Sequence, residues 1–321
     1  MSLNEFEVIR RFFTHRSQAT SGIVLGIGDD AAIVRPEPGN DLVVATDVLN
    51  TGIHFPDSTD PRAIGHKALA VNLSDLAAMG AMPSWFTLSL SLPTIDEEWL
   101  TAFSRGLFDL ANEYEIALVG GDTVRGPLSI SVQVLGQVPT GTGLRRSGAQ
   151  PGDKIYVTGT LGDAALALQK IKQGAVSETE LRARLDYPVP RAGFGLRLLS
   201  VANSCIDISD GLAADLGHIL EASQVGASIA TTALPFSKYL ATLEPDNAVK
   251  LALSGGDDYE LCFTVPAEKS EAIKKISEET AVPVTCIGEI TNNTGLHLSD
   301  SELSLQSMGF NHFAGEAEPG K

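Results

Sequence analysis

The chain has 321 residues, 43% of them hydrophobic, which is ample for a large core and, at roughly 100–200 residues per domain, for two domains. Acidic residues outnumber basic ones 40 to 23, giving a formal net charge of −17 and a sequence pI near 4.7. That balance argues against any partner needing a general basic surface, whether duplex nucleic acid or anionic membrane, and 6% aromatics leave little for single-strand stacking platforms.

Residues 4–14 read as a helix, 22–28 and Asp41–Thr46 as strands, and Pro61–Ala81 as a long helix with proline near its first turn. Phe86–Leu92 alternates as a strand, 94–115 is an amphipathic helix, and 116–121 and 128–138 are two further strands. The Gly/Arg/Ser/Pro segment Pro139–Pro151 breaks the pattern and is the best domain boundary, dividing the chain into 1–148 and 149–321. After it come a strand (154–159), a glycine-containing packing turn, a helix (163–174) and a helix at 191–202. The apolar run ending in Asp207-Ile208-Ser209-Asp210-Gly211 leads into another helix. Strand-like 227–233, a strand within 254–265, a helix at 267–279 and a strand at 284–290 complete the reading. Strands and helices alternate in both halves, so the class is α/β or α+β.

Three cysteines with no Cys-x-x-Cys spacing argue against a disulfide framework and against a thiolate zinc site. The opening segment has no apolar signal region, and no stretch reaches the roughly 20 apolar residues of a membrane span. The expectation is a soluble, cytoplasmic protein.

The chemistry is written in aspartates. Gly28-Asp29-Asp30 puts two carboxylates on a glycine turn, where mutual repulsion favours a cation. Thr46-Asp47 sits at the end of an apolar strand. Asn72 and Asp75 share one face of the long helix among Ala68, Val71, Ala78 and Met79, a costly place for a carboxylate without a partner. Gly120-Gly121-Asp122 reads as a glycine turn whose N–H groups could approach phosphate oxygens. Asp207, Ser209 and Asp210, and then Gly255-Gly256-Asp257-Asp258-Tyr259-Glu260, repeat the theme in the second half. Individually these signals are weak. Together they form a set of hard oxygen donors with no His/Cys cluster, which selects Mg²⁺ over zinc and points to phosphoryl chemistry. No P-loop, kinase catalytic loop or dinucleotide fingerprint is present in the sequence.

In that order and combination, GDDAA at 28–32, TDVLNTGIHF at 46–55, NLSDLAAMGA at 72–81, GGDT at 120–123, GLRRSGAQPGD at 143–153, DISDGLAADL at 207–216 and GGDDYEL at 255–261 resemble the thiamine-monophosphate kinase family over essentially the whole length. Several of these motifs are shared more loosely with the wider superfamily of aminoimidazole ribonucleotide synthetase. The resemblance implies a two-domain synthetase-like fold, with an N-terminal sheet that pairs across a homodimer and a C-terminal α/β domain. It implies ATP and thiamine monophosphate as ligands, several Mg²⁺ ions, and no side chain acting as general base. Asp30, Thr46, Asp47, Asp75, Asp122, Asp207 and Asp210 would hold the metal. Gly121, Asp122, Arg146 and Ser209 would hold ATP, while His54, Asp258 and Phe313 would touch the thiamine monophosphate. Asp29, Asn72 and Glu260 are either ligands or supports. Ala45 stands where family members often carry Ser or Thr, which leaves only its carbonyl for a metal contact. Two other readings remain: ATP-dependent activation of a carbonyl or amide oxygen, as in the aminoimidazole ribonucleotide synthetases, and a non-catalytic nucleotide or cation sensor.

Overall fold

A computed structural model describes residues 3–14, 21–175 and 178–301. They form two compact units. The first takes in the described residues up to Arg145 together with Asp186–Ala202; the second runs from Arg146 to Leu185 and from Asn203 onward.

In the first unit a short helix α1 (Glu5–Val8) continues as a wider helical turn, Ile9–Phe13, that buries Phe12 and Phe13. Strands β1 (Ile23–Leu25) and β2 (Ile33–Val34) pair with each other. The main sheet comprises β3 (Asn40–Asn50), β4 (Met82–Leu92), β5 (Ala117–Arg125) and β6 (Ser129–Pro139), in the order β3-β6-β4-β5. β3 and β6 run antiparallel over all eleven residues, whereas β4 and β5 are parallel.

Helix α2 (Pro61–Ala78) starts at Asp60, whose carboxylate accepts the Arg62 N–H, and Pro61 occupies the position where a missing N–H costs nothing. It is buried nearly all round, and small residues let its neighbours come close. A Cβ on Gly65 would collide with the Phe103 carbonyl of α3 (Glu97–Glu113), and one on Gly106 with the Arg62 carbonyl of α2. The two helices therefore cross backbone against backbone.

In the second unit, β7 (Lys154–Thr158) is followed by α4 (Asp163–Lys172) and α5 (Thr179–Asp186). The next helix, α6 (Ala192–Leu198), belongs to the first unit. The second unit then continues with β8 (Ser204–Asp207), α7 (Leu212–Ser223), β9 (Gly226–Ile229), α8 (Pro245–Ser254), β10 (Leu261–Val265), α9 (Ser270–Thr280), β11 (Val284–Thr291) and β12 (Gly295–Leu298). Its sheet order is β12-β9-β11-β7-β10-β8, antiparallel except for the β12–β9 pair. Ile155, Val157, Ile206, Leu216 and Cys262 lie in its buried core.

Two expectations change. Asp47 does not end its strand, because β3 runs on to Asn50. Gly120-Gly121-Asp122 is not a turn but lies within β5. There Gly121, at φ +152°, passes so close to Leu88 that any Cβ would strike the Leu88 carbonyl. Helix α8, ten residues beginning at Pro245, was not legible in the pattern. No helix among the described residues is long and apolar enough to cross a membrane.

Candidate functional site

In the first unit the candidate residues are set by β3, β5, α2 and two loops. Asp30 is exposed, and its N–H donates to the Asp29 carboxylate at 2.8 Å, so Asp29 serves the turn itself. On β3, Thr46 is exposed and its hydroxyl donates to the Val132 carbonyl at 3.0 Å. Asp47 is half-buried, with its N–H donated to the Asn72 side-chain oxygen at 3.0 Å. Asn72 is fully buried, and its amide donates in turn to the Ala68 carbonyl at 3.0 Å. Each end of that amide thus holds a piece of the protein, β3 at the oxygen and α2 at the nitrogen. Asp75, half-buried, lies one helical turn along α2 from this clamp.

Register places the other first-unit candidates at the same level of the sheet. Asp47 pairs with Val132, Val132 with Leu88, and Leu88 with Gly121; Asp122 is one step further, opposite Ser89. β3 and β5 are nonetheless the two outer strands, three inter-strand steps of about 4.8 Å apart. The strands align Asp47 and Asp122 without bringing them together along the sheet.

His54 belongs to a tight loop. Asn50 N–H donates to its Nδ1 at 3.0 Å, and its own N–H donates to the Asn50 carbonyl at 3.0 Å. An accepting Nδ1 puts the ring proton on Nε2, which makes His54 a hydrogen-bond donor through that atom. The loop is held from α2 by Lys67, only 3% exposed, whose Nζ donates to the His54 carbonyl at 3.2 Å.

In the second unit Arg146 is exposed on a loop pinned by Ser223. That hydroxyl donates to the Arg146 carbonyl at 3.2 Å and accepts the N–H groups of Gly148 and Ala149, both at 3.1 Å. Asp207 is buried at the end of β8, and Ser209 and Asp210 follow it, half-buried, in the loop before α7. Behind that loop stands Asp215, whose carboxyl is pushed up to about 7 by burial and then by the charge of Asp207. Two carboxylates so placed favour a cation nearby.

The 255–261 segment carries two buried acids with distinct duties. Both oxygens of Asp258 accept the Gly162 N–H, at 3.0 and 2.9 Å, at the start of α4, and burial pushes this carboxyl well above the usual range. Glu260 accepts from the Thr158 hydroxyl at 2.7 Å and from Arg184 Nη2 at 3.1 Å. Arg184 also reaches the Thr160 carbonyl at 3.3 Å and lies 3.6 Å from the Asp163 carboxylate. The glycine segment 157–162, read as a packing turn, supplies the space: Gly159, at φ +58°, faces the Glu260 carboxylate where no Cβ would fit. Phe313 lies outside the described residues.

Among the described residues no three His, Cys, Asp or Glu side chains converge into a metal cage. The donor set still fits Mg²⁺, which keeps several waters and is commonly held by one or two carboxylates plus substrate phosphates. Sequence reasoning missed Asp215, Arg184 and Lys67 as residues that hold the candidate groups. The available signal was a charged residue inside an apolar helical run, in LAADL and in HKALAV.

Residues 28–138 match the N-terminal domain and residues 150–301 the C-terminal domain of AIR synthase related proteins, which defines the class. A curated thiamine-monophosphate kinase of Escherichia coli K12 is 48% identical over 323 aligned residues, covering 98% of this chain and 99% of its own. A crystal structure of thiamine-monophosphate kinase from Stenotrophomonas maltophilia superposes with a TM-score of 0.87 at 50% identity, covering 94% of this chain and 99% of that one. A third relative, described as AaThiL complexed with AMPPCP and TMP, gives 0.77 at 30% identity, over 98% of this chain and 99% of that one. The chain belongs to the thiamine-monophosphate kinase family.

Proposed function

We infer that the chain is an ATP-dependent kinase that phosphorylates thiamine monophosphate to thiamine diphosphate, the last step of thiamine diphosphate biosynthesis. The observation that carries this reading is full-length kinship to curated thiamine-monophosphate kinases and to a structure described as AaThiL complexed with AMPPCP and TMP.

The reaction needs little covalent help from the protein. The acceptor phosphate is already ionised at neutral pH, so the γ-phosphoryl group passes in line to it without a side chain acting as base. Mg²⁺, when bound, supplies neutralisation of the phosphate charge. Asp30, Thr46, Asp47, Asp75, Asp122, Asp207 and Asp210 are its candidate ligands. Gly121, Asp122, Arg146 and Ser209 take ATP, Arg146 as a fork onto phosphate oxygens. His54 donates from Nε2 to thiamine monophosphate, and Phe313 forms an aromatic wall beside it. Asp258 serves the same substrate by fixing the turn before α4. Along the chain the domain boundary is placed at 148/149, although Asp186–Ala202, beyond it in sequence, packs with the first unit.

The chain acts as a cytoplasmic homodimer, without nucleic acid or membrane partners. Support for the dimer comes from β3, where Leu42, Val44 and Val48 are exposed on one sheet face at 42%, 54% and 46%. The test of the activity is direct. Purified protein with ATP, Mg²⁺ and thiamine monophosphate yields thiamine diphosphate and ADP in equal amounts, and a preparation that makes none overturns the reading.

A further inference from the structure

We propose that Asp215 is a positioning residue that braces the 207–211 loop, so that this loop meets its ligands through side chains and not through backbone amides. A single oxygen of Asp215, Oδ2, accepts three consecutive N–H groups, from Ser209 at 3.0 Å, Asp210 at 3.0 Å and Gly211 at 3.1 Å. Successive amides curled in this way make a concavity suited to an anion. Here the anion is the chain's own carboxylate, 2% exposed in the first turn of α7.

The other side of the loop is engaged as well. Ile208 N–H donates to the Glu260 carbonyl at 2.8 Å, Tyr259 N–H to Ile208 at 2.8 Å, and Asp257 N–H to Ser209 at 2.9 Å. Glycines close the gap: a Cβ on Gly256 would collide with the Ser209 carbonyl, and Gly211, at φ +111°, packs against Ser254 and Gly255. Every backbone N–H from Ile208 to Gly211 is therefore already donated. The side chains of this loop assigned to a nucleotide or its cation are the Ser209 hydroxyl and the carboxylates of Asp207 and Asp210. This arrangement differs from a glycine-rich phosphate cradle, in which the amides themselves hold the ligand. The inference rests on the reading above, in which Ser209 takes ATP and Asp207 and Asp210 take the metal.

The test compares Asp215→Ala and Asp215→Asn in the full chain. Asparagine keeps an acceptor oxygen at the same place; alanine leaves three donors facing a void. Amide hydrogen exchange at Ser209–Gly211 accelerates at least tenfold in the alanine variant and stays within about threefold of wild type in the asparagine variant. The KM for ATP and the Kd for AMPPCP rise tenfold or more with alanine, are largely rescued by asparagine, and the KM for thiamine monophosphate does not move. A second pair extends it: Ser209→Ala weakens AMPPCP binding and Ser209→Thr restores it, as expected of a hydroxyl contact. Unchanged loop exchange in Asp215→Ala overturns the brace. Equal losses for both substrates, with protection falling throughout the second unit, reduce Asp215 to general stability and also overturn it. If wild-type protein binds no AMPPCP, the nucleotide reading fails, while the exchange comparison still decides whether Asp215 holds the loop.

Discussion

The Asn72 side-chain oxygen accepts the Asp47 N–H at 3.0 Å, although 25 residues separate them, and so fastens β3 to α2. This one bond sets Asp47 beside the helix turn that carries Asp75. Asn72→Ala strands the Asp47 N–H without its acceptor, at a cost of about 1–3 kcal/mol. Urea unfolding should show that loss, and kcat/KM should fall at least tenfold because two candidate metal ligands lose their common reference. Wild-type kinetics in a destabilised Asn72→Ala variant would separate the clamp from the chemistry.

Arg184 holds the buried acids of the second unit. Its Nη2 lies 3.1 Å from Glu260, which is 1% exposed, and its Nε lies 3.6 Å from the Asp163 carboxylate. Arg184→Met fills much of the same volume but leaves two buried carboxylates without their cation. Breaking such a pair costs about 3 kcal/mol, and a side chain that is 26% exposed should sit at or below that figure. The double variant Arg184→Met/Glu260→Gln should recover part of the loss. Additive losses in the denaturation midpoints would contradict the coupling.

Acid should weaken the first unit through His66. A carbonyl only accepts, so His66 donates from Nε2 to the Pro188 carbonyl at 2.9 Å, and its ring meets Tyr187 edge-on at 5.1 Å between centroids. Burial is the main reason its pKa lies below the usual 6.5. The fold therefore prefers the neutral ring. This contribution is fully present above pH 6.5 and is lost as pH falls from there through the lower folded value. Urea midpoints at pH 7.5 and 5.5 should differ more for wild type than for His66→Gln. Parallel profiles would assign the acid sensitivity elsewhere.

The open face of the first sheet should be the seam between two copies. Val44→Glu combined with Val48→Glu places two charges on that face, two strand repeats apart, without touching the buried side of β3. Light scattering should report the wild-type chain at twice the monomer mass and the double variant as a folded monomer. A wild-type monomer at micromolar concentration would remove the dimer from the account.

Much of the framework was legible in local pattern. The β-branched runs of β3 and β6 and the periodicity of α3 foretold their elements, and Pro61 marked the start of α2. Short α8 offered no side-chain cap at Glu244 and too few turns for a clear period. The GGDT motif misled because its second glycine, Gly121, serves a close strand contact with Leu88, a tertiary fact that a local turn rule cannot contain. For the candidate site, sequence singled out the aspartates but not what holds them. Asn72 meets Asp47 across 25 residues, and Arg184 meets Glu260 across 76. Such partners become visible only when the sheets place distant segments side by side.

The most direct measurement follows the γ-phosphoryl group itself. ATP labelled with ³²P at the γ-position is mixed with excess enzyme, Mg²⁺ and thiamine monophosphate, and the products are separated over a single turnover. Direct transfer predicts that the label appears in thiamine diphosphate at the rate ATP disappears, with no labelled inorganic phosphate or protein on the way, and that EDTA abolishes it. Label released as inorganic phosphate, with thiamine monophosphate unchanged, would contradict the account.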